Sequence, residues 1–263
     1  QYINRFNGNI IYIDQYVDRL EKVFFMRVVV ENNFSSNSFD SFKNSFNQEL
    51  GKAYKLKCDF FLEDQIPQLA VFVSKYEHCL YDILSQYQSG KLTCKIHFVL
   101  SNHENLKNIA EQFKIPFYHI PILKKNTEKA EAQQLKLLKK YKIDSIVLAR
   151  YMQILSSNFV SMYPNQIINI HHSFLPAFPG AKPYHSAFNR GVKIIGATSH
   201  YVTDELDGGP IIEQDIVRVS HENEVGDFIA KGRDLERIVL LRALKQHCDR
   251  KLMVYNNKTI VFN

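Results

Sequence analysis

Apolar positions along this chain change period, and each change predicts a different kind of element. Between residues 69 and 149, short apolar runs (69–74, 94–101, 117–120 and 145–149) alternate with other segments (79–87, 104–113 and 128–141). The runs are rich in β-branched residues and read as buried strands; the segments between them carry apolar residues at three- and four-residue steps and read as helices with one face inward. Strand and helix in alternation predict βαβ units, and so an α/β domain on a doubly wound, mostly parallel sheet. The pattern continues with a buried strand ending near Ile167-Ile168, a short helix over 184–190 and a strand over 194–202. A long helical region over 223–248 follows, with Phe228, Ile229, Leu235, Ile238, Val239, Leu241 and Leu244 on one face. Two strand-like pieces, 253–255 and 259–262, close the chain around a turn at Asn256-Asn257.

Ahead of residue 67 the rhythm differs. Residues 9–17 alternate, Ile11 and Ile13 against Tyr12 and Asp14, as a half-exposed strand, and 24–31 form a second, more apolar one. Residues 38–50 are helical, with Phe39, Phe42, Phe46 and Leu50 on one stripe and Ser36 or Ser38 as the cap. Residues 54–62 alternate again as a third strand. This predicts a small α+β module over 1–66, joined through the polar stretch 63–67 to a larger domain over 67–263.

Polar residues gather where the strand at Ile167-Ile168 should end: Asn169, His171, His172 and Ser173. Strand ends of this polarity in an open α/β sheet face the ligand crevice. Asn169 and His171 share one face of an extended strand, because side chains alternate with period two. An Asn amide can donate to a developing oxyanion. A His can carry a proton between attacking and leaving groups near neutral pH. An Asp can orient that His, stabilise its charged form or hold a water. The loop over 203–209 offers Asp207 in an Asp-Gly-Gly-Pro turn, and a second turn is expected at Pro179-Gly180-Ala181-Lys182-Pro183. Taken singly, each residue also has a structural explanation; an Asp before Gly is most often a turn residue.

Composition narrows the classes. At 45% hydrophobic and 23% charged residues the chain can bury a core. No apolar run reaches the ~18 residues of a membrane-spanning helix. The start, Gln1-Tyr2-Ile3, lacks a secretion signal and lacks Met, so the native start is expected further upstream. The four cysteines (Cys58, Cys79, Cys94 and Cys248) have no Cys-x-x-Cys spacing and read as reduced thiols of a cytoplasmic protein. The ten histidines show no metal pattern, and adjacent His171 and His172 are expected on opposite faces, so no metal is predicted. The formal charge of +6 is spread out apart from Lys124-Lys125 and the helical 136–142 stretch, which reads as a solvated face; no nucleic-acid partner is predicted. Such a mild positive field suits an anionic small molecule.

Three phrases taken together carry a resemblance: Asn-Ile-His-x-Ser-x-Leu-Pro from Asn169, Gly-Ala-x-Pro-Tyr-His from Gly180, and His-Tyr-Val-x-Asp-x-Leu-Asp-x-Gly-Pro-Ile-Ile from His200. The chain resembles the folate-dependent formyltransferase superfamily, and the double His171-His172 is similar to its formyltetrahydrofolate deformylase branch. The resemblance implies a Rossmann-type core and hydrolysis of 10-formyltetrahydrofolate to formate and tetrahydrofolate, with the formate feeding purine synthesis. It implies Asn169, His171 and Asp207 as catalytic residues and His200 as a partner beside the Asp loop. Met152, Leu155 and Val160, with Val202 and Asp204, match positions around the pterin. No cofactor beyond the folate substrate is implied. The front module resembles the later part of a ferredoxin-like ACT domain lacking its first strand and helix, which would leave an apolar edge and favour a homo-oligomer.

Two other functions stay open: formyl transfer to an amine such as glycinamide ribonucleotide, and folate binding without turnover. The first turn after a strand, residues 74–79, has no glycine, whereas a phosphate-cradling turn needs small residues so that backbone N–H groups can approach the anion. That disfavours a phosphorylated acceptor.

Overall fold

A computed structural model describes residues 2–32, 36–123, 126–177 and 183–263. The turn expected at 179–182, with Gly180-Ala181, the pair Lys124-Lys125 and the side chain of Ser36 lie outside the described residues. The chain forms two compact units, residues 1–65 together with 262–263, and residues 66–261.

The first unit holds α1 (Tyr2–Arg5), a hairpin of β1 (Asn9–Asp18) and β2 (Val23–Glu31), and a helical stretch. The hairpin turn is fixed by Asp18, whose Oδ1 accepts from the backbone N–H of Leu20 and of Glu21 at 3.0 Å each. The helix α2 (Ser36–Phe46) continues through a π turn over Asn47–Gly51 into α3 (Lys52–Tyr54). Its aromatic stripe meets α1: Phe42 and Phe46 lie 5.7 and 5.3 Å from the Tyr2 ring, and Phe60 closes on both at 6.0 and 5.3 Å. The strand expected over 54–62 does not form; residues 56–62 have no ladder partner among the described residues. The alternation is there, but a strand needs a neighbour to pair with, and none lies beside it among the described residues. Phe262 and Asn263 belong to this unit, with Asn263 N donating to Asp14 Oδ2 at 3.1 Å.

The second unit is the α/β domain. Its elements run β3 (Gln68–Val73), α4 (His78–Gln88), β4 (Lys95–Ser101), α5 (Lys107–Gln112), β5 (Phe117–His119), α6 (Thr127–Lys140) and β6 (Ser145–Leu148). Then come α7 (Ser157–Ser161), β7 (Ile167–His171), α8 (Pro183–Arg190), β8 (Ile194–Tyr201), β9 (Ile211–Arg218), α9 (Val225–Cys248) and a hairpin of β10 (Leu252–Tyr255) and β11 (Lys258–Val261). Seven strands form one sheet in the order β5-β4-β3-β6-β7-β8-β9. The five from β5 to β7 are parallel, and β8 and β9 are added antiparallel. Helices cover both faces, so β3 and β6 are buried along almost their whole length. Alternate residues divide between two cores: Leu69, Val71 and Val73 pack toward α4 and α9, while Ala70 and Phe72 pack toward Phe98 and Phe159.

The long helix α9 starts in a reciprocal cap between Glu224 and Asp227. It buries Phe228, Leu235, Val239, Leu240 and Leu244, but Ile238, expected on that face, is 43% exposed. Near its end His247 bridges two strands, with Ser145 Oγ 2.9 Å from Nε2 and Tyr201 OH 2.8 Å from Nδ1. Burial pushes its pKa down to about 4, so the neutral ring offers one donor and one acceptor to these hydroxyls. That contact fixes the end of β8, immediately beside His200.

Candidate active site

Strand β7 buries every position except Asn169, which keeps partial solvent contact. The antiparallel register sets Asn169 directly opposite His200 of β8. Cross-strand partners have adjacent side chains, and Asn169 Nδ2 lies 3.2 Å from His200 Nε2. His200 Nδ1 is 3.0 Å from the Tyr201 carbonyl, which can only accept; that nitrogen therefore carries the proton, and Nε2 accepts from the Asn169 amide. An amide nitrogen carries two protons, so one Asn169 N–H remains available.

The loop between β8 and β9 delivers Asp207. Val202 N donates to Ile167 O at 2.8 Å at one end, and Tyr201 N to Pro210 O at 2.9 Å at the other. Gly209 lies so close to the strand that a Cβ there would fall 1.9 Å from the Tyr201 carbonyl oxygen, so the turn requires glycine. Asp207 itself has φ of 55°, a left-handed conformation that Asp and Asn adopt more readily than most residues. Its Oδ1 comes to 3.3 Å from His171 Nδ1 and 3.7 Å from His200 Nε2. The contact with His171 above all holds the Asp207 carboxyl well below the usual carboxylate range, against the opposing effect of burial.

His171 is thus fixed from one side. With the ionised Asp207 as acceptor, Nδ1 carries the proton and Nε2 the lone pair. Nε2 is buried and has no hydrogen-bond partner among the described residues. A buried polar atom of this kind calls for a ligand or a role. Amide donor, polarised imidazole and carboxylate therefore meet at the ends of β7 and β8, the arrangement that acyl chemistry needs.

The other expected site residues divide. Met152 is 46% exposed, and its backbone N–H is pinned by Ser74 Oγ at 3.0 Å. Leu155 and Val202 are half-buried against the core, and Asp204 is exposed. Val160 is 7% exposed within the core beside Phe159, so its side chain packs the interior and offers a ligand little surface. His171 and His172 do not point to opposite faces: the strand ends at His171, alternation lapses, and the two ring centroids are 5.2 Å apart. The segment after them is held to β8 and β9, since Leu175 N donates to Thr198 Oγ1 at 3.0 Å and Gln214 Nε2 to Leu175 O at 3.1 Å.

Residues 67–244 match the profile of a family described as formyl transferase. The chain belongs to that family. Among formyl transferase relatives, the formyltetrahydrofolate deformylase of Synechocystis sp. is 51% identical over 262 residues, 100% of this chain and 92% of the relative. That of Bacillus subtilis is 46% identical over 257 residues, 97% of this chain and 85% of the relative. The crystal structure of a formyltetrahydrofolate deformylase from Pseudomonas syringae pv. tomato superposes with a TM-score of 0.95 at 42% identity, covering 100% of this chain and 88% of that one.

One buried polar cluster of this formyl transferase went unread in the sequence. Glu236 of α9, fully buried, meets His78 Nε2 at 2.8 Å, the Tyr184 hydroxyl at 2.6 Å and Arg150 Nε at 3.5 Å. Burial alone would raise its pKa, but His78, Arg150 and Tyr184 outweigh it and hold the carboxyl below its ordinary value. The available signal was an acid within the apolar stripe of a helix, since Glu is rarely buried without partners. Among the described residues, His78, Cys79 and Glu236 are also close enough to share a metal ion. The charges argue otherwise: burial and the Glu236 charge push the Cys79 thiol well up, away from the thiolate a metal would need, and Arg150 already serves the carboxylate.

Proposed function

We propose that the protein hydrolyses 10-formyltetrahydrofolate to formate and tetrahydrofolate. The observation that carries this reading is His171, with Nδ1 against an ionised Asp207 and Nε2 buried without a hydrogen-bond partner among the described residues. Relatives matched over nearly the whole chain and named formyltetrahydrofolate deformylase support it.

In this reading water attacks the formyl carbon. His171 Nε2 takes a proton from the water, and Asp207 stabilises the imidazolium that results. The tetrahedral oxyanion receives the free N–H of Asn169 and the new N–H of His171. The carbon–N10 bond then breaks, N10 takes the proton back from His171, and formate and tetrahydrofolate leave. Atoms balance without a cofactor. Met152, Leu155, Val202 and Asp204 are our candidates for contacts to the folate, with an apolar slot for the flat ring and polar atoms at its edge.

Incubation with 10-formyltetrahydrofolate alone is expected to release one formate per tetrahydrofolate formed, measured by coupled formate oxidation. Absence of formate until an amine is added would move the reading to formyl transfer.

We further infer a homo-oligomer, because the hairpin exposes Ile11, Ile13, Val17 and Phe24; a monomer in sedimentation equilibrium would remove that inference. No helix among the described residues is long and apolar enough to cross a membrane. The four free cysteines suit a reducing compartment, and we read the protein as cytoplasmic.

A further inference from the structure

The sheet has its topological switch point between β3 and β6: the chain runs outward from β3 through β4 to β5, then returns to lay β6 on the other side of β3. In open α/β sheets the crevice at the C-terminal ends of such strands is where ligands bind. In this protein the protein's own side chains meet there. After β3, the Tyr76 ring has two guanidinium groups over it, that of Arg150 at 5.0 Å and that of Arg233 at 5.3 Å from its centre. After β6, Arg150 turns its Nε toward Glu236, and the two side chains are 10% and 1% exposed.

Arg150 has φ of 61°, in the region that favours glycine. An arginine held there against its backbone preference points to a use for the guanidinium. The cluster also touches the catalytic strand. His171 contacts the His172 ring, His172 contacts Tyr184 edge-on at 5.8 Å, and the Tyr184 hydroxyl donates to Glu236. On α9, a Cβ at position 232 would fall 2.2 Å from the Tyr184 ring, so Gly232 is what lets that ring reach the carboxylate.

We propose that Tyr76, Arg150 and Glu236 form a specificity-determining plug, which occupies the crevice that a phosphorylated primary amine would need in order to accept the formyl group and so leaves water as the acceptor. The proposal rests on the hydrolase reading above. Within the cluster the charges already face partners of their own: Arg150 faces Glu236, Glu236 meets His78 and Tyr184, and Arg233 lies over the Tyr76 ring. An entering anion would have to separate a buried ion pair, which leaves each partner uncompensated. Tyr76 also stands in a turn where glycine would open backbone N–H groups to a phosphate.

The test compares the wild type with Arg150→Gly, which relieves the backbone at that position, and with the double variant Tyr76→Gly/Arg150→Gly, which also uncovers the turn and Arg233. Each receives 10-formyltetrahydrofolate with and without glycinamide ribonucleotide, while formate and formylated amine are followed by mass spectrometry. The wild type is expected to release formate at one rate in both mixtures. The double variant is expected to keep releasing formate and to be inhibited by the nucleotide, or to formylate it, at concentrations roughly tenfold or more below any effect on the wild type. A folded double variant that releases formate yet ignores the nucleotide overturns the plug and leaves the hydrolase standing. A wild type that releases no formate overturns both. Should the double variant not fold, the Arg150→Gly protein decides by the same two readouts.

Discussion

The Asp207→Asn variant is expected to lose roughly 10³-fold or more in kcat for formate release while keeping its fold. Asparagine has the same shape and tolerates the φ of 55° at this position, so the loop need not move. What changes is the proton inventory. An amide can present its N–H to His171 Nδ1, which shifts the ring proton to Nε2 and removes the lone pair that would take the proton of water. It also removes the negative charge that stabilises the imidazolium. Steady-state kinetics of formate release measure the effect, and a loss smaller than tenfold would remove Asp207 from the proton path. Stability should respond with a definite sign. The folded-state pKa of Asp207 is depressed, so its contribution is fully present above the ordinary carboxylate value and is lost as pH falls toward the lowered one. The wild type should therefore unfold at a higher temperature than Asp207→Asn near neutrality, and the gap should narrow on acidification.

The centre of the α/β sheet was legible because β3, β4 and β6 are buried along most of their length and read as apolar runs between helices with one inward stripe. The residues at the end of β7 were legible for a related reason: Asn169 and His171 interrupt an apolar strand, and polarity there is costly unless it is used. Asp207 could be named but not joined to them by local rules, since its approach depends on Gly209 resting against the Tyr201 carbonyl. Local periodicity failed where tertiary context decides. Residues 56–62 alternate like a strand and find no ladder to join among the described residues. Ile238 fits the helical stripe by spacing but lies past its edge, and His172 escapes strand alternation because the strand stops one residue earlier. The Glu236 cluster was the least legible. Its members come from α4, α8, α9 and the segment after β6, and no spacing in the sequence links them.

Asn169→Ala is expected to lower kcat by roughly 10²–10³-fold with much less change in KM, the pattern left by removing a donor that acts on the oxyanion and hardly on the ground state. The alternative is that Asn169 serves only to hold His200, its cross-strand partner at 3.2 Å. The two roles separate through His200→Gln. If the amide acts on the substrate, the His200 variant loses far less kcat than Asn169→Ala, because His200 reaches the chemistry only through Asn169 and Asp207. If the amide merely anchors the ring, both variants lose the same amount, and the double variant loses no more than either alone. Asn169→Asp should be no better than alanine. It places a second carboxylate beside His200, close to Asp207, and an acceptor-only group cannot donate to an oxyanion. An Asn169→Asp protein with near-normal kcat would therefore transfer the oxyanion to another donor, leaving Asn169 as part of the strand pairing alone.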